Sequence, residues 1–102
     1  MAEERADVTV VRNGAEERFE IRTGGEPAFL TYSISDGEIV LLHTEVPEAL
    51  SGNGLGSELV RAALEHARSE GLVVVPLCPF VQAYLRRHPE YRGLARPGGS
   101  GA

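Results

Sequence analysis

The 102-residue chain contains no tryptophan, no lysine and a single cysteine, Cys78. One cysteine cannot form a disulfide within the chain, which favours a reducing compartment. The first residues are polar and acidic and lack the apolar block of a signal peptide. No apolar run approaches the ~20 residues that a membrane-spanning helix requires. These absences predict a cytoplasmic protein with no membrane partner.

Positive charge is also scarce: ten basic residues, all of them arginines, are outnumbered by 15 acidic residues, which gives a net charge of −5. This acidic surplus argues against a nucleic-acid partner, since nucleic-acid-binding domains usually carry a basic face. Residues 1–50 carry a net charge of −7 and residues 51–102 carry +2. The second half could therefore receive a small polyanion, although ordinary solvated charge also explains the pattern. No metal site is predicted, because metal-ligand spacing is lacking at His43, His66 and His88.

Four antiparallel strands are predicted in the first half of the chain. They lie at residues 8–13, 16–22, 28–35 and 39–46. Residues 28–35 alternate with a period of two, whereas residues 39–46 are apolar on both faces, as in a central strand covered from both sides. A tight turn is expected at Asn13-Gly14 and another at Asp36-Gly37. One domain is expected at this length, covering residues 8–95 between a flexible segment 1–7 and a disordered tail 96–102.

A long helix and a fifth strand are predicted next. Residues 54–70 repeat apolar side chains at helical spacing, and Gly71 follows as a stop signal. Residues 72–78 are short, apolar and β-branched, and a right-handed crossover lays them parallel to the fourth strand. Pro76 favours a sheet edge or a neighbour that splays away. A short helix from Pro79 to about residue 87 completes an α+β fold.

Three glycines at alternate positions form the most informative motif, Ser51-Gly52-Asn53-Gly54-Leu55-Gly56. Glycines let the backbone approach a ligand closely, and the first turn of the following helix presents unpaired N–H groups to an anion. Glycine-rich turns before helices also occur without a ligand. In its setting between a strand and a helix, the motif indicates a phosphorylated cofactor.

Two reactive side chains lie on the fourth strand just before this loop. Regular alternation would place His43 and Glu45 on the same face as Ile39 and Leu41. A carboxylate beside an imidazole can hold it in one tautomer as a general base. The alternative is that both polar residues simply meet water at a strand end.

Two further candidates lie at the end of the predicted fifth strand and on the short helix that follows it. Cys78 precedes the second helix, whose N-terminus favours a thiolate, although single cysteines are often inert packing residues. Tyr84 offers a phenol that could donate a proton, although such a ring more often packs and hydrogen-bonds its hydroxyl. Parallel strands end at the same edge of a sheet, so Cys78 is expected near the glycine loop.

Residues 8–94 resemble the GCN5-related N-acetyltransferase superfamily, and in particular its very short branch. The acetyl-CoA loop of that superfamily, (Gln/Arg)-x-x-Gly-x-(Gly/Ala), matches the glycine motif except that Ser51 replaces Gln or Arg. Three motifs resemble the short branch: His43-Thr44-Glu45-Val46, Pro76-Leu77-Cys78-Pro79-Phe80 and His88-Pro89-Glu90-Tyr91.

The resemblance implies acetyl-CoA between splayed fourth and fifth strands. Cofactor-binding residues would then be Val46, Gly52, Asn53, Gly54, Leu55, Gly56 and Ser57. Catalytic candidates by position are Cys78, His43, Glu45 and Tyr84. The implied activity is acyl transfer to an amine or thiol by a monomer or homodimer, with Cys78 either accepting the acyl group or lining the reaction point.

One departure concerns the acceptor. Larger relatives carry helices between the first two strands and extra strands after the fifth, and these build the acceptor pocket. Here the first two strands are joined directly, so the pocket is missing or open. A large acceptor could dock there, another subunit could complete the site, or the domain could bind acyl-CoA without catalysis. A scaffold that pairs through a sheet edge is the remaining alternative.

Overall fold

The computed structural model describes residues 8–95. Segments 1–7 and 96–102, predicted above to be a flexible start and a disordered tail, lie outside the described residues. Seven main elements are present: β1 (Val11–Asn13), β2 (Arg18–Ile21), β3 (Ala28–Ser35), β4 (Glu38–Glu45), α1 (Leu55–Glu70), β5 (Val73–Pro76) and α2 (Pro79–Arg87). Short 3-10 helices cover Glu48–Leu50 and Pro89–Leu94.

The strands form one sheet in the order β1-β2-β3-β4-β5. The first four strands make an antiparallel meander, and β5 runs parallel to β4. Parallel pairing requires a crossover, which α1 supplies. The predicted α+β fold with a parallel fifth strand is confirmed. On the other edge of β5, Val74 forms an isolated parallel bridge with Ala95.

Both α-helices pack on one face of the sheet, called the inner face below. α1 covers it with an apolar stripe, and buried residues of α2 join the same cluster. Because strand residues alternate, every second side chain reaches this core. The inner-face strand residues are Phe19, Ile21, Ala28, Leu30, Tyr32, Ile39, Leu41 and Val74. Within residues 8–95, neither α-helix has the length and apolar composition needed to cross a bilayer.

The opposite face, called the outer face, carries the alternate strand residues. Phe29, Thr31, Ser33 and Val40 are only half-buried there, because both described α-helices pack on the inner face. Glu20 is the exception, with 3% of its surface exposed. The outer face is therefore covered by neither described α-helix.

The two predicted turns differ in outcome. Asp36 (φ 52°) and Gly37 (φ 79°) both adopt left-handed conformations, as a tight hairpin turn requires. The expected tight turn at Asn13-Gly14 is wrong, because residues 14–17 form a longer turn in which Glu17 takes the positive φ of 56°. Asn13 stabilises it through its side-chain oxygen, which accepts a 3.1 Å hydrogen bond from the Glu16 amide. Independently of the turns, the first, second and fifth strands are shorter than predicted.

A β-bulge in β4 changes the faces of the residues that follow it. Tyr32 pairs with Leu41 and Thr31 pairs with His43, so Leu42 is an extra residue without a partner in β3. One extra residue moves all later side chains to the opposite face. His43 and Glu45 therefore point to the outer face, and the prediction that they share a face with Leu41 is wrong.

Candidate functional site

The strands β4 and β5 separate at their carboxyl ends. Their pairing stops at Leu41 and Pro76, so within the described chain β5 has no pairs with residues 42–45 of β4. The amides of Leu77 and Cys78 both donate to the Leu41 carbonyl, at 3.1 and 3.0 Å. The opening between residues 42–46 and residues 77–78 is called the β4/β5 gap below. It confirms the predicted splay beside Pro76.

The glycine loop lies at the same edge of the sheet and leads into α1. Gly52 (φ 87°) and Gly54 (φ 76°) adopt left-handed conformations that other residues rarely take. The Asn53 side-chain amide braces the loop by donating to the Leu50 carbonyl at 2.9 Å. No side chain caps the N-terminus of α1, and the first helical bond runs from the Glu58 amide to Gly54. The amides before Glu58 are thus free to face an anion.

The start of α2 packs against the start of α1 through Gly56 and Phe80. A Cβ atom added at Gly56 would lie 2.8 Å from Cζ of the Phe80 ring, too close for a relaxed contact. Phe80 remains 39% exposed. Glycine at position 56 thereby lets an aromatic ring lie directly beside the helix end that could bind an anion.

Cys78 lies on the inner side of the gap with a partner that the sequence had not indicated. Its Sγ is 3.5 Å from Oγ1 of Thr44, and 3% of the residue is exposed. Thr44 faces inward because the bulge reverses the faces of β4, and it pairs with the inner-face residue Leu30. The two successive leucines before His43, Leu41 and Leu42, break strict alternation and are the sequence signal that could have revealed this.

His43 and Glu45 form a pair on the outer side. Nε2 of His43 is 3.0 Å from Oε1 of Glu45, and the side chains are 60% and 59% exposed. The Phe29 ring packs edge-on against the imidazole, with ring centroids 6.4 Å apart. The pair is therefore opposite the side on which Cys78 lies, and the gap separates these two sets of candidates.

Tyr84 belongs to α2, and its ring is buried. The ring stacks on His88 with centroids 4.0 Å apart and lies 6.2 Å from the Tyr91 ring. Burial raises the pKa of the Tyr84 phenol, and Arg61 offsets this in part. A tyrosine phenol is protonated at neutral pH with or without this shift, and the higher pKa makes it a weaker acid. Among residues 8–95, no hydrogen bond joins it to Cys78 or His43.

The remaining predicted cofactor residues are distributed around the gap. Val46 follows β4 and is half-buried against the core, whereas Leu55 is buried, so its main-chain amide is the group available to a ligand. Ser57 lies in the first turn of α1 and is half-buried. Within residues 8–95, no three His, Cys, Asp or Glu side chains are grouped closely enough to hold a metal ion.

Comparisons with known proteins agree with this architecture. A sequence model of GCN5-related N-acetyltransferases matches residues 18–94. Protein NATD1 of Mus musculus and of Homo sapiens are each 32% identical over 97 residues, which cover 92% of this chain and 88% and 86% of those proteins. The NMR structure of a GCN5-like protein from Staphylococcus aureus superposes with a TM-score of 0.69, at 30% identity, over 86% of this chain and 87% of that one.

Proposed function

The chain belongs to the GCN5-related N-acetyltransferase family, and on that premise we propose that it is an acyl-CoA-dependent acyltransferase. Acetyl-CoA is the proposed donor, and an amine or a thiol is the acceptor. The observation that carries the proposal is the uncapped N-terminus of α1 beside the β4/β5 gap. An anion-binding helix end next to unpaired strand backbone suits a diphosphate joined to an extended amide-containing arm.

The donor's diphosphate is assigned to the main-chain amides of residues 52–57. Left-handed Gly52 and Gly54 shape this loop without side chains that would obstruct a ligand. The pantetheine arm is assigned to the backbone of β4 near Glu45 and Val46, which β5 leaves unpaired. Ser51 is too short to replace the usual Gln or Arg side chain, so binding depends on the amides.

Cys78 is the proposed acyl carrier. Its sulfur attacks the thioester carbonyl carbon as the thiol proton passes to solvent, a new carbon–sulfur bond forms, and the CoA sulfur leaves with the electron pair of the broken bond. The Thr44 hydroxyl, 3.5 Å from Sγ, positions the cysteine sulfur. Tyr84, whose phenol is protonated at neutral pH like that of any tyrosine, is the proposed donor of the proton that the departing sulfur takes.

His43 is the proposed general base for the acceptor. If Nε2–H donates to Glu45, the other ring nitrogen, Nδ1, is left to accept a proton. The acceptor nitrogen attacks the acyl-cysteine carbonyl, loses its proton to Nδ1, and displaces the Cys78 sulfur, which takes a proton from solvent. His43 then releases its proton and Tyr84 regains one, both by exchange with solvent. Cys78 and His43 then act on the same carbonyl group from the two sides of the gap.

A non-catalytic acyl-CoA-binding module is the second candidate. It is favoured by the outer face, which neither described α-helix covers. Both candidates bind CoA, but only the transferase releases free thiol from acetyl-CoA in the presence of an acceptor.

CoA at ten times its dissociation constant is expected to stabilise the folded protein by about 1.4 kcal/mol, because it binds the folded state only. Thermal unfolding with and without CoA measures this stabilisation; dephospho-CoA, which keeps the diphosphate, and pantetheine, which lacks it, serve as controls for the diphosphate contribution. Thiol release from acetyl-CoA, followed with an amine acceptor, then separates the two candidates. An unchanged melting temperature at millimolar CoA would remove both.

Substituting Gly52 tests the glycine loop. Gly52→Ala is expected to weaken CoA binding about tenfold and to cost about 1 kcal/mol of stability, because alanine is strained at φ 87°. Gly24→Ala is the matched control: Gly24 also has a positive φ, 97°, and open space around it, but belongs to the turn between β2 and β3. Isothermal titration should show normal affinity for the control. Equal losses of affinity in both variants would contradict the assigned loop.

A further inference from the structure

The outer face of the sheet changes in character from one strand to the next, with β3 at its centre. Residues paired across neighbouring strands share a face, so the register shows which side chains each strand presents. β3 presents only uncharged residues there, which are Phe29, Thr31, Ser33 and Ser35. The charged and the apolar strands therefore lie on either side of a neutral centre.

The two strands next to β3 carry opposite charge on this face. Arg18 and Arg22 flank Glu20, whose side chain is 4% exposed, so the β2 side has one surplus positive charge. The Arg22 side chain is 63% exposed. On β4, Glu38 and Glu45 face outward, and the Glu45 side chain is 59% exposed. The net charge of the face thus changes sign across β3.

The two edge strands are both apolar on this face. Val11 of β1 pairs with Glu20, and Val73 of β5 pairs with Glu38, so both valines face outward. They are 38% and 41% exposed. Val75 is half-buried on the same face of β5. The order across the sheet from β1 to β5 is therefore apolar, basic, neutral, acidic and apolar.

This order is complementary to its own reverse. In an isologous dimer, the same surface of both copies meets across a two-fold axis. With that axis along β3, β2 of one copy lies over β4 of the other, and β1 lies over β5. Basic strands then meet acidic strands, apolar strands meet apolar strands, and the two sheets stay aligned as in a β-sandwich. An axis across the strands would instead place the arginines of β2 against each other.

The register along the strands agrees with the same arrangement. Glu20 pairs with Phe29 and Phe29 pairs with Glu45, so these three residues form one row across the sheet. Arg18 and Arg22 lie two residues to either side of that row. Across an axis along β3, the two arginines therefore flank Glu45 of the second copy, and symmetry repeats this contact.

We propose that the outer face is the interface of a homodimer, in which the sheets of two copies pack face to face about an axis along β3. β2 of each copy then covers His43 and Glu45 of the other, so the second copy walls the outer side of each β4/β5 gap. For the transferase proposed above, the acceptor side lies between the two copies. The dimer itself does not rest on that function.

The first test is the mass of the full chain in solution. Sedimentation equilibrium without CoA or an acyl donor is expected to give twice the mass of the chain at high micromolar concentration. A chain that stays monomeric at millimolar concentration would overturn the proposal. Because no acyl donor is present, a failure of the transferase function leaves this result unaffected.

The second test exchanges charges between β2 and β4. Glu45→Arg is expected to raise the dimer dissociation constant at least about tenfold, because it places arginine against arginine in both symmetric contacts. Adding Arg22→Glu should lower the constant again at least about threefold, since opposite charges then face each other once more. Glu70→Arg, the same change at the exposed end of α1, should have no effect. Equal weakening by Glu45→Arg and Glu70→Arg would contradict the assigned contact.

The third test places charge on the neutral centre. Ser33 lies on β3 and is half-buried, and near a two-fold axis a residue meets its own copy. Ser33→Arg and Ser33→Glu are therefore both expected to raise the dissociation constant at least about tenfold, since like charges then oppose each other. Ser69→Arg, on the exposed end of α1, should leave it unchanged. Far-UV circular dichroism checks that each variant is folded. Opposite effects of the two Ser33 substitutions would exclude the two-fold axis along β3.

Discussion

Replacing Cys78 by alanine is expected to lower acyl transfer at least about 100-fold while leaving CoA binding intact. The substitution removes the sulfur that would accept the acyl group, and it touches none of the amides of residues 52–57. Cys78 is almost completely buried, so nonspecific acylation of an exposed thiol would not explain a loss of activity in this variant. Initial rates of thiol release, with CoA affinity measured in parallel, check the prediction.

Mass spectrometry separates a carrier from a lining residue. In the absence of an acceptor, wild-type protein incubated with acetyl-CoA should gain one acetyl group on Cys78, and Cys78→Ala should gain none. The absence of lysine removes the usual sites of background acetylation and leaves the N-terminal amine as the competitor. Thr44→Val, which keeps the thiol but loses its hydroxyl partner, should lower the rate without abolishing the adduct. Full activity of the alanine variant would mean direct transfer from CoA to the acceptor.

The sequence predicted most elements because their signals are local. The α1 helix was placed to within one residue, since its apolar period and Gly71 as the left-handed cap are both encoded in its own segment. The parallel fifth strand followed from connection rules, and Pro76, which favours a sheet edge or a splayed neighbour, is the residue at which its pairing with β4 ends. These features depend little on what lies across the sheet.

The arrangement of the candidate catalytic groups could not be predicted in the same way. A bulge is defined by two strands together, and the extra residue Leu42 exists only relative to Thr31 and Tyr32 of β3. Alternation along β4 alone predicts the wrong face for His43. It also gives no sign that Thr44 faces inward as the neighbour of Cys78. Single-strand alternation is reliable only as far as the register stays unbroken.

Glu20 shows the same limit for a charged residue. In the sequence it is one of several acids in a strand. In the sheet it accepts hydrogen bonds from Arg18 (2.6 Å), Arg22 (3.0 Å) and Asn13 (3.0 Å), and its side chain is 4% exposed. The Arg18 hydrogen bond, opposed by burial and aided by the other two donors, lowers the pKa of Glu20 from 4.5 to about 2. The carboxylate thereby ties the β1–β2 hairpin together on the outer face.

Glu20→Gln is expected to destabilise the fold by about 2 kcal/mol at pH 7. Breaking a fully buried ion pair costs about 3–5 kcal/mol, and the partial exposure of Arg18 and Arg22 reduces this. The folded-state pKa lies below the unfolded one, so this stabilisation is present above pH 4.5 and is lost as the pH falls toward about 2. Urea unfolding from pH 7 to pH 2 should therefore show a shallower acid dependence in Glu20→Gln. The exposed Glu26→Gln variant should follow the wild-type curve, and an unchanged acid slope in Glu20→Gln would show that this carboxylate does not anchor the hairpin.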